Sequence, residues 1–292
     1  MIWLVGNRGM LGTEVHCRLQ ARKLEHVATD LDVDITDRRV LRSFSDPLAL
    51  SWIVNCSAYT AVDRAEDEPE QAFRINADGV RNLAWVARQK GARLLHISTD
   101  YVFDGKKEGA YLETDAPNPS GVYGRSKLQG EQYIREELDS HVILRTAWLY
   151  GPAGANFVRT MLRLFQARDE VRVVSDQWGS PTLAGDLADA ILTILNPETV
   201  QYGTYHFTNE GRTNWFGFAS LILELAGKHR LVDREVRLVP IKTEEYPTRA
   251  LRPSNSYLSK EKIKAVFGIP VRSWQEALES FMKGMAADKG EA

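Results

Sequence analysis

The sequence predicts an α/β fold: a doubly wound parallel sheet followed by a smaller C-terminal lobe that binds substrate. Three observations predict it. Short apolar runs alternate with longer helical patterns through the first half, glycines punctuate the turn between the first strand and the first helix, and the rhythm loosens after about Gly151. Apolar runs without clean alternation suit strands buried on both faces of a parallel sheet. Helices between such strands imply right-handed crossovers that cover both faces.

Residues 2–5 open the chain as a strand, and residues 10–22 form the first helix. A weaker strand follows at 26–30 and a stronger one at 52–55. Residues 68–89 are expected to be one long helix, with Phe73, Asn76, Val80, Leu83 and Ala87 on the stripe facing the sheet. Asn76 is the odd member, because a buried amide needs partners. A strand at 93–98, a helix at 120–138 and a strand at 142–145 complete the regular half. Beyond it lie helices at 157–167, 183–195, 215–226 and 274–283 and a strand at 171–174. The resulting division is a dinucleotide-binding domain over 1–147, with returning segments near 171–174 and 187–210, and a lobe made mainly of 148–292.

Composition limits the functions available to this fold. Lys+Arg 37 against Asp+Glu 39 gives a net charge of -2, so no global basic surface addresses nucleic acid or an anionic membrane. No stretch approaches the roughly 18 apolar residues of a membrane span. Only Cys17 and Cys56 occur, each within an apolar element, which argues against a disulfide framework or zinc cluster and suits a reducing cytoplasm.

The turn reads Gly6-Asn7-Arg8-Gly9-Met10-Leu11-Gly12. Gly6 permits a tight turn, Gly9 lets backbone approach a pyrophosphate, and Gly12 lets helix pack on strand, as in a Rossmann-type site. The helix N-terminus adds unpaired N–H groups and positive potential. Cofactor choice stays open. Asp30 could bind a ribose 2′-hydroxyl and favour NADH, whereas Arg8 could pair with a 2′-phosphate and favour NADPH.

Tyr123 and Lys127 stand four apart, on one face if their segment is helical. An ammonium beside a phenol would favour phenolate and bring its pKa toward neutrality. Residues 94–101 read Leu-Leu-His-Ile-Ser-Thr-Asp-Tyr, a buried strand ending in hydroxyls and a carboxylate. Open sheets bind ligands at the carboxyl ends of their strands, so Ser98, Thr99 and Asp100 should face the cleft.

These motifs, with Asn55-Cys56-Ser57-Ala58-Tyr59-Thr60-Ala61-Val62-Asp63, Ser98-Thr99-Asp100-Tyr101-Val102-Phe103-Asp104-Gly105 and Tyr123-Gly124-x-x-Lys127-x-x-Gly130-Glu131, resemble the extended short-chain dehydrogenase/reductase superfamily. More narrowly the chain is similar to the dTDP-4-dehydrorhamnose reductase family, a likeness continued by Arg145 to Gly151, Gly179-Ser180-Pro181-Thr182 and Arg252-Pro253-x-Asn255-Ser256. The resemblance implies Tyr123 as proton donor, Lys127 as its partner and Thr99 as the third catalytic hydroxyl. It implies cofactor contacts at Gly9, Met10, Leu11, Asp30, Asp34, Ile35, Ala58, Tyr59 and Thr60, and nucleotide-sugar contacts at Thr99, Asp100 and Trp148. Some members dimerise through magnesium held by glutamates. Glu14 falls near one such position, but no acidic C-terminal partners are recognisable, so no metal is expected and a homodimer stays open.

The implied activity is NADPH- or NADH-dependent reduction of a nucleotide-linked 4-keto-6-deoxysugar to dTDP-β-L-rhamnose, a precursor of surface polysaccharide. Two alternatives remain at this point. One is a dehydratase or epimerase acting on another nucleotide sugar, although Asp100 is followed by Tyr101 and not by a second carboxylate. The other is a non-catalytic, NADP-binding regulatory subunit of the same fold.

Overall fold

The computed structural model describes residues 1–196 and 198–290. Positions 291–292 of the expected lobe lie outside the described residues. Five strands and six helices make the first half: β1 (Ile2–Val5), α1 (Met10–Ala21), β2 (His26–Thr29), α2 (Arg38–Ser45), β3 (Trp52–Asn55), α3 (Val62–Ala65), α4 (Pro69–Phe73), α5 (Val80–Lys90), β4 (Arg93–Thr99), α6 (Val122–Glu137) and β5 (His141–Thr146). The second half holds β6 (Leu149–Tyr150), α7 (Phe157–Ala167), β7 (Glu170–Val174), β8 (Trp178–Gly179), β9 (Thr182–Leu183), α8 (Ala184–Ile194), β10 (Gly203–His206), β11 (Thr213–Asn214), α9 (Trp215–Lys228), β12 (Arg237–Ile241), α10 (Glu261–Phe267) and α11 (Trp274–Gly290).

Six strands form one parallel sheet in the order β10-β5-β4-β3-β1-β2. The chain leaves β1 for one edge through β2 and then crosses back to β3. The β1/β3 junction is therefore the topological switch point at which such sheets bind nucleotides. Separate apolar layers cover the two faces. Leu11, Val15 and Leu19 of α1 pack with Leu187 and Ile191 of α8 on one side, while Val80, Leu83 and Ala87 of α5 and Ile134 of α6 cover the other. A third core lies outside the sheet, where Phe218 and Ile222 of α9 meet Phe165, Val171, Leu278 and Met282.

The structure departs from the sequence expectations in three places. The long helix over 68–89 is interrupted: residues 74–79 form a π-helical turn between α4 and α5, a distortion frequent at functional sites. Asn76 lies in that turn, and its amide pairs with both backbone polar groups of Tyr59. The amide of Asn76 also donates to Ser126 Oγ. The segment near 171–174 does not return to the main sheet. It belongs to β7, which pairs in parallel with β12 in a two-stranded sheet of its own, because its alternating burial gives it one wet face. Cys17, expected inside an apolar element, is exposed on α1. No described helix is long and apolar enough to cross a membrane.

Candidate active site

A cleft of about 880 Å³ runs across the carboxyl ends of β1, β3, β4 and β5. At one end the glycine turn bends back under its own helix. Gly6 has a φ of +82°, a left-handed value that suits glycine, and a Cβ on Gly12 would overlap the Gly6 carbonyl oxygen. The Gly9 N-cap brings no side-chain cap, so the first N–H groups of α1 keep their potential for an anion. A Cβ built on Gly9 meets only the Gly6 oxygen, at 3.4 Å, so this side of the turn is open to the cleft. These features fit a dinucleotide pyrophosphate.

Gly6, Gly9, Met10, Leu11, Asp30, Asp34, Ile35, Ala58 and Thr60 all line the cleft. Two of the expected cofactor contacts do not. Gly12 serves the packing of α1 on the turn, and the Tyr59 ring turns away to donate to Glu68 Oε2 at 2.8 Å. Asp30 and Arg8, weighed above as competing readers of the cofactor, are joined through the backbone: Arg8 N–H donates to Asp30 Oδ2 at 3.0 Å. Glu14 is ion-paired with Arg18 at 2.5 Å.

Thr99, Asp100, Tyr123, Lys127 and Trp148 line the same cleft. The Thr99 hydroxyl donates to Asp100 Oδ1 at 2.9 Å and accepts from Tyr101 N–H. Burial pushes the Asp100 carboxyl up to about 6 against the opposing effects of Ser256 and Thr99, and among the described residues its Oδ2 makes no hydrogen bond. Burial also raises the Tyr123 phenol well above its usual value, with Thr99 as the group that opposes the rise.

That last point corrects the sequence expectation of a phenol drawn toward neutrality by its neighbouring ammonium. Lys127 Nζ lies in contact with Ile97 O at 2.7 Å and His96 Nε2 at 3.2 Å, and among the described residues no hydrogen bond joins it to Tyr123. Helical spacing puts both side chains on one face, but a long lysine takes its partners from β4.

Beyond Trp148 the cleft continues into a cavity of about 760 Å³. Trp148, held at a φ of +49° just after β5, stacks on Trp215 with ring centroids 3.6 Å apart. Arg252 reaches across from the C-terminal part of the chain to Tyr101 Oη at 2.9 Å and Asp63 Oδ2 at 2.5 Å. The roles of Trp215 and Arg252 escaped the sequence reading, since Trp148 stands 67 positions from Trp215, and Tyr101 and Asp63 stand 151 and 189 from Arg252.

A family model described as the RmlD substrate binding domain matches residues 1–287. The chain is 41% identical over 283 residues to the dTDP-4-dehydrorhamnose reductase of Aggregatibacter actinomycetemcomitans, covering 95% of this chain and 96% of that one. The chain belongs to the dTDP-4-dehydrorhamnose reductase family. Two solved members of that family share its architecture. The Clostridium acetobutylicum protein matches with a TM-score of 0.92 and 38% identity, over 97% of this chain and 99% of that one. The Bacillus anthracis protein, solved in complex with NADP, matches with a TM-score of 0.90 and 38% identity, over 96% and 97%.

Proposed function

We propose that this chain reduces the C4 ketone of dTDP-4-dehydro-β-L-rhamnose to the alcohol of dTDP-β-L-rhamnose, using NADPH or NADH. The observation that carries the reading is the meeting of Tyr123, Thr99 and Lys127 in one cleft with the uncapped α1 N-terminus. Residues 1–147 would hold the cofactor: Gly9, Met10 and Leu11 its pyrophosphate, and Asp30 or Arg8 its ribose. When bound, the reduced nicotinamide supplies the hydride.

The remaining chemistry belongs to the chain. Tyr123, kept protonated by burial, is placed to give its proton to the carbonyl oxygen as negative charge develops there. Thr99 lies against the phenol, and its hydroxyl, which donates to Asp100 Oδ1 at rest, would become a second donor for the same oxygen on turning from that carboxylate. Lys127 sits on the same helix face and supplies a cation once the phenol has lost its proton. Asp100 would hold a sugar hydroxyl through its unpartnered Oδ2. The nucleotide would occupy the cavity beside Trp148, Trp215 and Arg252, formed largely from the segment after residue 147.

Two free cysteines and a soluble small-molecule substrate suit action in the cytoplasm. A homodimer is the assembly to test for. The deciding experiment follows reduced-nicotinamide absorbance with purified protein. Oxidation should require a dTDP-linked 4-keto-6-deoxysugar and continue to stoichiometric consumption. Interconversion of sugar nucleotides without net cofactor consumption would replace the reading with an epimerase or dehydratase.

A further inference from the structure

Two motifs of the sequence have no task in the reaction as described: Tyr101-Val102-Phe103-Asp104-Gly105, which leaves β4 beyond Asp100, and Arg252-Pro253-x-Asn255-Ser256. The structure brings them together. Gly105 has a φ of +77°, and a Cβ there would stand 2.5 Å from Pro253 Cβ. Ser254 Oγ donates to Gly105 O at 2.8 Å, and Asn255 Nδ2 donates to Lys107 O and Gly109 O, each at 2.8 Å. Because Arg252, Pro253 and Ser256 line the lobe-side cavity, this docking ties the exit of β4 to the wall of that cavity.

Tyr101 is the point where the tie reaches the reaction. Side chains of a helix lean toward its N-terminus and lie over the preceding turn. Tyr123 stands in the first turn of α6, so its ring has no preceding turn to lie on. The Tyr101 ring supplies a wall instead, edge-on to Tyr123 with centroids 5.5 Å apart and planes at 76°. The backbone of Tyr101 is fixed on two sides. Its N–H donates to Thr99 Oγ1 at 3.2 Å, and a Cβ on Gly124 would overlap its carbonyl oxygen, so only glycine after Tyr123 admits this approach.

The far end of the ring is held from the lobe. Tyr101 Oη accepts from Arg252 Nη1 at 2.9 Å, while Arg252 Nη2 donates to Asp63 Oδ2 at 2.5 Å. Asp63 Oδ1 in turn accepts from Ala250 N–H at 3.0 Å. A planar guanidinium engaged through two of its nitrogens has little freedom to swing. Burial raises the Tyr101 phenol above its ordinary value against the opposing effect of Arg252, so the ring acts on Tyr123 by its position and not as an anion.

We propose that Tyr101 is a positioning residue for the proton donor: its ring sets the angle of the Tyr123 phenol, and Arg252, steadied by Asp63, sets the angle of that ring. Arg252 then acts on sugar-nucleotide affinity directly and on turnover only through Tyr101. The consequence for turnover rests on the reductase reading; the placement of the Tyr123 ring does not.

The test has two arms, both on the full chain. The first needs no turnover: a carbon-13 spectrum of the tyrosine rings, with the Tyr123 signals assigned by their loss in Tyr123→Phe. Arg252→Leu should shift those signals in the parent and leave them unmoved in a Tyr101→Phe background. Tyr123 signals that ignore Arg252→Leu in the parent overturn the proposal, whatever the protein reduces. If Arg252→Leu does not fold, Arg252→Lys makes the same comparison, because an ammonium lacks the planar fork that serves Tyr101 and Asp63 together. The second arm is a kinetic cycle. Tyr101→Phe should lower kcat by about tenfold, within the cost of a misplaced reacting group, and leave cofactor affinity within about threefold. Arg252→Leu should lower kcat by a similar factor and raise KM for the sugar nucleotide as well. In the double variant KM should rise as in Arg252→Leu, but kcat should fall no further than in Tyr101→Phe. Full kcat in Tyr101→Phe, or kcat losses that multiply in the double variant, overturns the proposal. Coupled ring signals without reduction of any 4-keto sugar would instead remove the reductase reading and leave the placement standing.

Discussion

On the sheet side of the cleft, the groups that face a ligand come from backbone turns and from side chains with almost no exposure, Thr99, Asp100 and Lys127 among them. On the lobe side they are aromatic rings and arginines, Trp148, Trp215 and Arg252 among them, gathered from segments far apart and only partly covered. The sheet side fixes polar atoms where charge will develop, and accepts the expense of burying them. The lobe side offers stacking surface, which holds a ligand without demanding one geometry. Chemistry should therefore be lost by touching the first wall, and affinity by touching the second.

Tyr123→Phe is the largest break in that contrast. Removing the phenolic hydroxyl should lower kcat by about 10² to 10⁴-fold. Binding of reduced cofactor, followed by fluorescence titration, should stay within about threefold of the parent, because the turn and α1 are untouched. Retention of full turnover would remove Tyr123 from the reaction.

This division also explains what could be read from sequence. The glycine turn, the Ser98-Thr99-Asp100 strand end and the Tyr123/Lys127 pair are contiguous motifs whose geometry follows from one strand or one helix turn. Strands β1, β3, β4 and β5 were legible for the same reason, as short apolar runs. Contacts set by tertiary packing were not legible. The partners of Lys127 come from β4, Trp148 meets Trp215, and Arg252 returns to Tyr101 and Asp63 across 151 and 189 positions. The π turn was hidden because an inserted residue leaves the apolar stripe of residues 68–89 nearly intact. One signal was present and unused: His96 interrupts an otherwise apolar run in a buried strand.

Asp100 sharpens the contrast through stability. Its folded pKa of about 6 stands above the ordinary 3.8, so the native state binds the proton more tightly than the unfolded chain. The associated stability is present below pH 3.8 and is lost as pH rises to about 6, after which the loss is complete. Asp100→Asn should escape this loss. In urea unfolding it should match the parent near pH 4 and exceed it above pH 6, by roughly 3 kcal/mol at most. Its KM for the nucleotide sugar should rise as the carboxylate acceptor disappears. Equal stability at both pH values would mean that the buried carboxylate has found a partner.

The smallest expected effect comes from the lobe side. Trp215→Ala removes one ring of the stacked pair without touching any group placed to exchange a proton. Aromatic pairs contribute about 0.5–1.5 kcal/mol beyond the area they bury, and part of the cavity wall is lost as well, so KM for the nucleotide sugar should rise by about tenfold. Because the lost contact serves ground state and transition state alike, kcat should change by less than about twofold. Cofactor affinity should not move, since Trp215 lines only the adjoining cavity. A fall in kcat matching the rise in KM would instead show Trp148, freed from its stacking partner, moving within the reaction end of the cleft, and the two walls would then act as one.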